Sequence, residues 1–147
     1  MILVRAMEAA DLDWAIALCA RLEGAPEWSR AVWGRVLEAD PHRVALVADD
    51  EWQAGFAVAT VVGPEAELEL IAVAPERQRR GVARALMAEL AGRVREAGAE
   101  EMVLEVRASN RAALGLYEQA GFVVTGGRAR YYRDPVEDAV LMWMRLV

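Results

Sequence analysis

Lysine is absent from this 147-residue chain, whose seventeen basic side chains are all arginine. A phosphate loop of the Walker type needs its lysine, and Schiff-base chemistry, pyridoxal phosphate enzymes included, needs a lysine amine; both are excluded. One cysteine, Cys19, rules out an internal disulfide and fits a reducing, cytoplasmic setting. One histidine, His42, far from that cysteine leaves no zinc-type ligand spacing, so no metal is expected. No uncharged apolar run approaches the ~18 residues that span a bilayer, and the N-terminus lacks the build of a signal peptide, so no membrane partner is expected. No G-x-G-x-x-G follows a candidate strand, which argues against a dinucleotide site.

What the chain does have is apolar content and acid. Hydrophobic residues make up 56% of it, enough for one well-packed domain over residues 1–147, and its net charge is −6. Alternation and helical spacing predict, in order, a strand at 2–7, a helix capped by Asp11 and stopped at Gly24, and a helix at 26–40 ending before Pro41. Strands follow at 42–49, 51–63 and 66–75. A helix over 80–97 carries the stripe Val82, Leu86, Leu90 and Val94. Then come a strand at 100–108, a helix from a Ser109 cap to Gly121, and two closing strands around a turn at Asp134-Pro135. This order gives an α/β fold: a mixed, mostly antiparallel sheet of about seven strands flanked by four helices.

Against that acidic background, "APERQRRGVARAL" (74–86) sets four arginines around Gly81 at a strand-to-helix junction. The first turn of a helix offers free N–H groups and the positive end of the macrodipole, and glycine lets a ligand approach the backbone. Arg79, Arg80 and Arg84 would add charge-assisted hydrogen bonds to a pyrophosphate there. A solvated basic turn satisfies the same pattern. A nucleic-acid partner is not expected: the sequence pI is about 4.9, and the chain has no second basic cluster of this kind.

"QRRGVA" (78–83) resembles the Q/R-x-x-G-x-G/A acetyl-coenzyme A motif of the GNAT superfamily of N-acetyltransferases, with Ala83 where many members have glycine. "LEVRASNRAALGLYEQAGF" extends the resemblance through N-x-x-A-x-x-L-Y-x-x-x-G-F from Asn110. Within the superfamily the chain is similar to bacterial ribosomal-protein-alanine N-acetyltransferases of the Rim type, through "LEVRASN", Tyr117 and "RARYYRDPVEDAVLMWM". "PEWS" (26–29) resembles their P-W-S segment with Glu27 as an insertion. The resemblance implies acetyl-coenzyme A as cosubstrate and a protein N-terminal α-amine as acceptor, an alanine of a ribosomal protein above all. A small-molecule amine, another protein terminus, or a noncatalytic coenzyme-A-binding module remain alternatives, and a monomer and a homodimer are equally compatible.

The resemblance further implies that backbone groups of Ile71, Ala72 and Val73 pair with the pantetheine arm, the Val73 N–H serving the oxyanion. Arg79, Arg80, Gly81, Val82, Ala83 and Arg84 would cradle the pyrophosphate. An α-amine with a pKa near 8 is mostly protonated at neutral pH, so a base is needed, and the departing thiolate needs a proton. Glu105 interrupts an apolar strand and is the expected base, its pKa lifted by partial burial and its proton carried through ordered water; an ion pair with Arg107 is the structural alternative. Tyr117, seven residues beyond Asn110 on one helix face, is the expected acid, with Asn110 on the pantetheine amides. Trp28, Tyr131 and Tyr132 are candidates for the acceptor pocket, with packing as the alternative. Glu67 and Glu69 would share one sheet face and attract a cationic amine or pair with arginine. Cys19, on an apolar face, reads as a small buried hydrophobe.

Overall fold

The protein, seen here as a computed structural model, is described over residues 1–22, 24–38 and 42–147. Its strands are β1 (Leu3–Ala6), β2 (Arg43–Asp50), β3 (Trp52–Val62), β4 (Glu65–Val73), β5 (Glu101–Arg107), β6 (Val123–Tyr132) and β7 (Glu137–Arg145). Its helices are α1 (Leu12–Arg21), α2 (Arg30–Val36), α3 (Val82–Glu96) and α4 (Arg111–Ala120). The strands form one sheet in the order β1-β2-β3-β4-β5-β7-β6, antiparallel throughout except for β4 and β5. The mixed, mostly antiparallel architecture expected from the sequence is present.

Alternation along the central strands builds two cores, one on each sheet face. Leu46, Ala57, Ala59, Leu68, Leu104 and Val106 pack with the α3 stripe Val82, Leu86, Leu90 and Val94 and with Tyr117 of α4. Val47, Phe56, Val58, Leu70 and Ala72 pack on the other face with Ala15, Leu18, Trp33 and Val36 of α1 and α2.

Two irregularities shape the centre of the sheet. In the β3–β4 ladder Val58 pairs with Leu70 but Ala59 pairs with Leu68, leaving Glu69 as an extra residue. This bulge turns β4 over, so that Leu68 enters one core and Leu70 the other. The parallel β4–β5 ladder is short: Glu65 pairs with Glu101, Ala66 with Met102 and Glu67 with Val103, and there it ends. Both strands continue, β4 held by β3 and β5 held along its length by β7.

Three sequence expectations change. Helix α2 starts at Arg30, because the Ser29 hydroxyl caps it by accepting from Val32 N–H at 3.3 Å. The end expected for this helix at 39–41 falls outside the described residues. Asn110, not Ser109, caps α4, accepting from Ala113 N–H at 3.2 Å. Asp11 does not cap α1 with its side chain. Only 2% exposed, it instead takes a two-pronged bond from Arg5 (2.8 and 2.9 Å), Glu8 N–H (2.8 Å) and Gln53 (3.0 Å).

Gly55 sets how closely α3 approaches the sheet. A Cβ there would lie 2.7 Å from the Ala72 carbonyl oxygen and 3.0 Å from Val82 Cγ1. Gly55→Ala should therefore lower unfolding free energy by about 1–3 kcal/mol in urea denaturation, since backbone cannot yield as a flexible side chain does; unchanged stability would show that α3 docks less closely. The Arg5 hydrogen bonds hold Asp11 down to a pKa of about 2 from its ordinary 3.8. A depressed folded-state pKa means that the pair's stabilisation is complete above pH 4 and fades as pH falls toward 2. In Asp11→Asn, the fall in stability across that pH window should be shallower than in wild type.

Candidate active site

The arginine-rich turn is held from beneath by its own polar groups. Arg77 reaches Asp50 at 3.4 Å, Glu76 accepts two bonds from Arg21 of α1 at 2.7 and 3.3 Å, and Gln78 donates to the Val73 carbonyl at 3.2 Å. Arg77 is thereby a structural residue, its side chain only 17% exposed. Arg80 is loosely held, 3.9 Å from Asp50, and Arg79 and Arg84 have no ion-pair partner among the described residues.

Gly81 adopts the left-handed conformation at φ +87°, and α3 starts after it with no side-chain cap, unlike α2 and α4. The first helical bond runs from Ala85 N–H to the Gly81 carbonyl at 3.0 Å. The N–H groups of Gly81, Val82, Ala83 and Arg84 therefore precede any intrahelical acceptor. A Cβ on Gly81 would approach only Ile2 Cδ1, at 3.9 Å, so the backbone is approachable from outside. Uncapped amides, the helix dipole, two guanidinium groups unpaired among the described residues and a loosely paired third are the groups a diphosphate seat would need.

Beside this seat β4 has left β5. Ala74 N–H bonds the Ala54 carbonyl at 2.8 Å, so the register Ala54–Ala74, Phe56–Ala72 turns the polar groups of Ala72 and Ala74 toward β3. Those of Ile71 and Val73 point the opposite way, into the gap facing β5. Of the three residues expected to hold an extended amide chain, Ile71 and the Val73 N–H turn toward the gap, while the Val73 carbonyl accepts from Gln78; Ala72 is committed to β3, and its methyl is buried in the α1–α2 core.

The candidate base and acid come from opposite sheet faces. Leu104 and Val106 enter the α3–α4 core, so Glu105 between them faces the α1–α2 side. Tyr117 lies within the α3–α4 core, 9% exposed and edge-on to Phe122 at 5.8 Å. Groups on opposite faces can reach one bond only where the sheet is parted, and Glu105 lies on β5 just beyond the point where β4 leaves it. Burial pushes the Tyr117 phenol up to about 12, which keeps it protonated at neutral pH. Asn110, as helix cap, commits its amide oxygen to Ala113 N–H and leaves its NH₂ for other partners.

Glu105 does not pair with Arg107, the sequence alternative. Arg107 holds the β6–β7 turn, donating to the carbonyls of Pro135 and Arg133 (both 3.1 Å), lying 3.7 Å from Glu137 and stacking 4.5 Å over Tyr132. Glu105 instead faces Arg128, 3.6 Å away on β6, and Tyr131, whose phenol is raised by a hydrogen bond to Glu105. Tyr132 is raised chiefly by burial, with Glu105 adding to it. Both candidate tyrosines thus gather at Glu105, while Trp28 rests on buried Trp33 at 5.1 Å, joined to the α1–α2 core.

Glu69 hydrogen-bonds Thr60 and lies 3.5 Å from Arg43. Glu67 has a raised pKa, through burial first and then the charges of Glu69, Glu105 and Glu65. Cys19 is raised to about 11 by burial, which leaves it an unreactive thiol. Among the described residues no group of three or more His, Cys, Asp or Glu side chains could hold a metal ion, and no helix is long and apolar enough to cross a membrane. The site residues that the sequence pattern did not signal are Arg128, brought to Glu105 by bulges in β6, and Asp50, the anchor of the arginine turn.

Residues 8–122 match the acetyltransferase (GNAT) family. The chain is 46% identical over 91 residues to the [ribosomal protein bS18]-alanine N-acetyltransferase of Escherichia coli K12, a stretch covering 60% of this chain and 62% of that enzyme's length. It is 37% identical over 134 residues to the N-alpha-acetyltransferase RimI of Mycobacterium tuberculosis, covering 84% of this chain and 82% of that one. The crystal structure of the Escherichia coli ribosomal-protein-S18-alanine N-acetyltransferase superposes with a TM-score of 0.86 at 34% identity, over 99% of this chain and 94% of that one.

If Gly81 is the approach to the diphosphate seat, Gly81→Val should weaken coenzyme A binding at least about tenfold in calorimetry. The side chain would both strain the left-handed backbone, by about 1–2 kcal/mol, and cover the amides. Undiminished affinity would move the diphosphate elsewhere.

Proposed function

The chain belongs to the acetyltransferase (GNAT) family, and we propose that it transfers acetyl from acetyl-coenzyme A to the α-amine of a protein N-terminus, with an N-terminal alanine of a ribosomal protein as preferred acceptor. What supports this reading is the parting of β4 from β5 beside an uncapped helix N-terminus, with Glu105 of β5 on one side of the sheet and Tyr117 in the core on the other. The names of the Escherichia coli and Mycobacterium tuberculosis relatives supply the acceptor class.

Each residue has a task that its surroundings suit. Arg79, Arg80, Arg84 and the amides at Gly81–Arg84 would hold the diphosphate, and Ile71 and Val73 the amide arm, fixing where the thioester lies. Bound there, acetyl-coenzyme A supplies an activated acyl group. Glu105 takes the proton from the acceptor's ammonium, directly or through one water. Tyr117 stays a neutral phenol and so can donate a proton to the departing sulfur from the buried side. The Val73 N–H, directed into the gap, is set to stabilise the oxygen on which negative charge develops. Tyr131 and Tyr132 border the acceptor side next to Glu105, and the acidic Glu67 favours a cationic visitor there.

Turnover of an alanine-first ribosomal peptide, read by mass spectrometry against free polyamines, tests the acceptor class. A preference for the polyamine would transfer the reading to small amines, and coenzyme A binding without turnover of any amine would leave a binding module. Glu105→Gln should lower kcat by about 10²-fold or more while leaving coenzyme A affinity within about twofold. Tyr117→Phe should lower kcat by about tenfold or more. Since the wild-type phenol titrates only near 12, Tyr117 should add no alkaline limb to the pH–rate profile below about pH 11.

A further inference from the structure

Glu105 already has a cation beside it. Arg128 Nε lies 3.6 Å from Glu105 Oε1, with the Arg128 side chain 58% exposed and that of Glu105 26% exposed. The guanidinium also lies 5.6 Å over the Tyr131 ring, whose phenol is raised chiefly by Glu105. The groups facing Glu105 are Glu67 from β4 and Arg128, Tyr131 and Tyr132 from β6. Arg107 on its own strand is engaged elsewhere, by Glu137, the Tyr132 ring and two carbonyls. Among the described residues, Arg128 is thus the one cation within ion-pair reach of the base.

Resting on the reading above, we infer that Arg128 holds the seat on Glu105 that the acceptor's ammonium must take, so that acceptor binding exchanges one cation for another. Arg128 is thereby a further residue of the acceptor site, one that sets affinity without touching the reacting atoms. Glu105 and Glu67 make this side of the gap acidic, and Arg128 is the cation that balances them there. Exchange then brings the transferable proton to the carboxylate that removes it. An N-terminus that cannot become cationic gains nothing by displacing Arg128, which biases the site toward free α-ammonium ends.

The local backbone suits such a displacement. β6 is an edge strand of the sheet, and every residue from Val123 to Tyr131 is exposed. Its ladder with β7 is interrupted between Arg128 and Tyr132, where Arg130 has a φ of +54°. The side chain can swing away without disturbing either core. Its pair with Glu105 is long and solvated, in contrast to the Arg77–Asp50 pair, whose side chains are 17% and 16% exposed. Exposed pairs are weak, so the exchange is easily reversed.

The test is steady-state kinetics of Arg128→Gln, with an alanine-first peptide varied at saturating acetyl-coenzyme A. The peptide KM should fall by about two- to fivefold, the range that loss of one exposed ion pair supplies, with kcat unchanged within about twofold. Arg128→Lys, which keeps a cation there, should return KM toward wild type. An unchanged or raised KM in Arg128→Gln overturns the exchange. So does a fall in kcat, which would make Arg128 a clamp on Glu105. Wild-type turnover of the peptide judges the proposed reaction separately; only the ratio of variant to wild type judges Arg128.

Discussion

Two parallel strands that pair for three residues and then separate constrain everything else in the molecule. Strand pairing normally continues as long as both chains remain extended, because unpaired backbone groups are costly when buried. Here each strand is secured on its outer side instead, β4 along β3 and β5 along β7. The extra residue at Glu69 turns β4 over just where the ladder ends, and a bulge of this kind increases local twist. The gap is therefore built from two well-paired halves rather than from a weak region. It leaves the inner edge of β4 without a strand partner beyond Glu67. In the proposed reaction Glu105 from one face and Tyr117 from the other would have to meet across that gap.

Charge is distributed around the gap with little waste. At one end, Arg77 and Glu76 are spent on holding the turn, to Asp50 and Arg21, which leaves Arg79, Arg80 and Arg84 to face outward. This fixes the dipole end of α3 in place, while the three outward guanidinium groups are loosely held or unpaired among the described residues. On the acceptor side the charge is reversed, with Glu67 and Glu105 balanced by Arg128. In the proposed reaction this would direct an anionic cosubstrate and a cationic acceptor to different ends of the gap. The net charge of −6 favours the approach of basic chains generally, which bears on association rate rather than on acceptor identity.

Much of this was legible in the sequence because local rules agreed with tertiary ones. The α3 stripe, the closing strands and the glycine before α3 were readable, and helix periodicity placed Leu86 and Leu90 in the core where they lie. The motif around Gly81 and the helix bearing Tyr117 pointed to the site through resemblance, since spacing alone could not separate a phosphate seat from a solvated turn. What escaped the sequence depends on broken alternation. Period-two reading gives Leu68 and Leu70 the same face, and only the bulge at Glu69 divides them. Arg128 reaches Glu105 across β7 through two interruptions of the β6 ladder, a relation with no local signature. Asn110 displaced Ser109 as the cap because either residue can serve, and tertiary placement decided between them.

The central claim concerns Ile71 and Val73, whose backbone groups should face an open strand edge while Ala72 between them is bonded to β3. Residue-resolved amide hydrogen exchange, with and without saturating coenzyme A, tests it most directly. The account predicts fast exchange at Ile71 and Val73 without the ligand, marked slowing with it, and slow exchange at Ala72 in both conditions. Ile71 and Val73 amides already protected without coenzyme A, or indifferent to its addition, would contradict it.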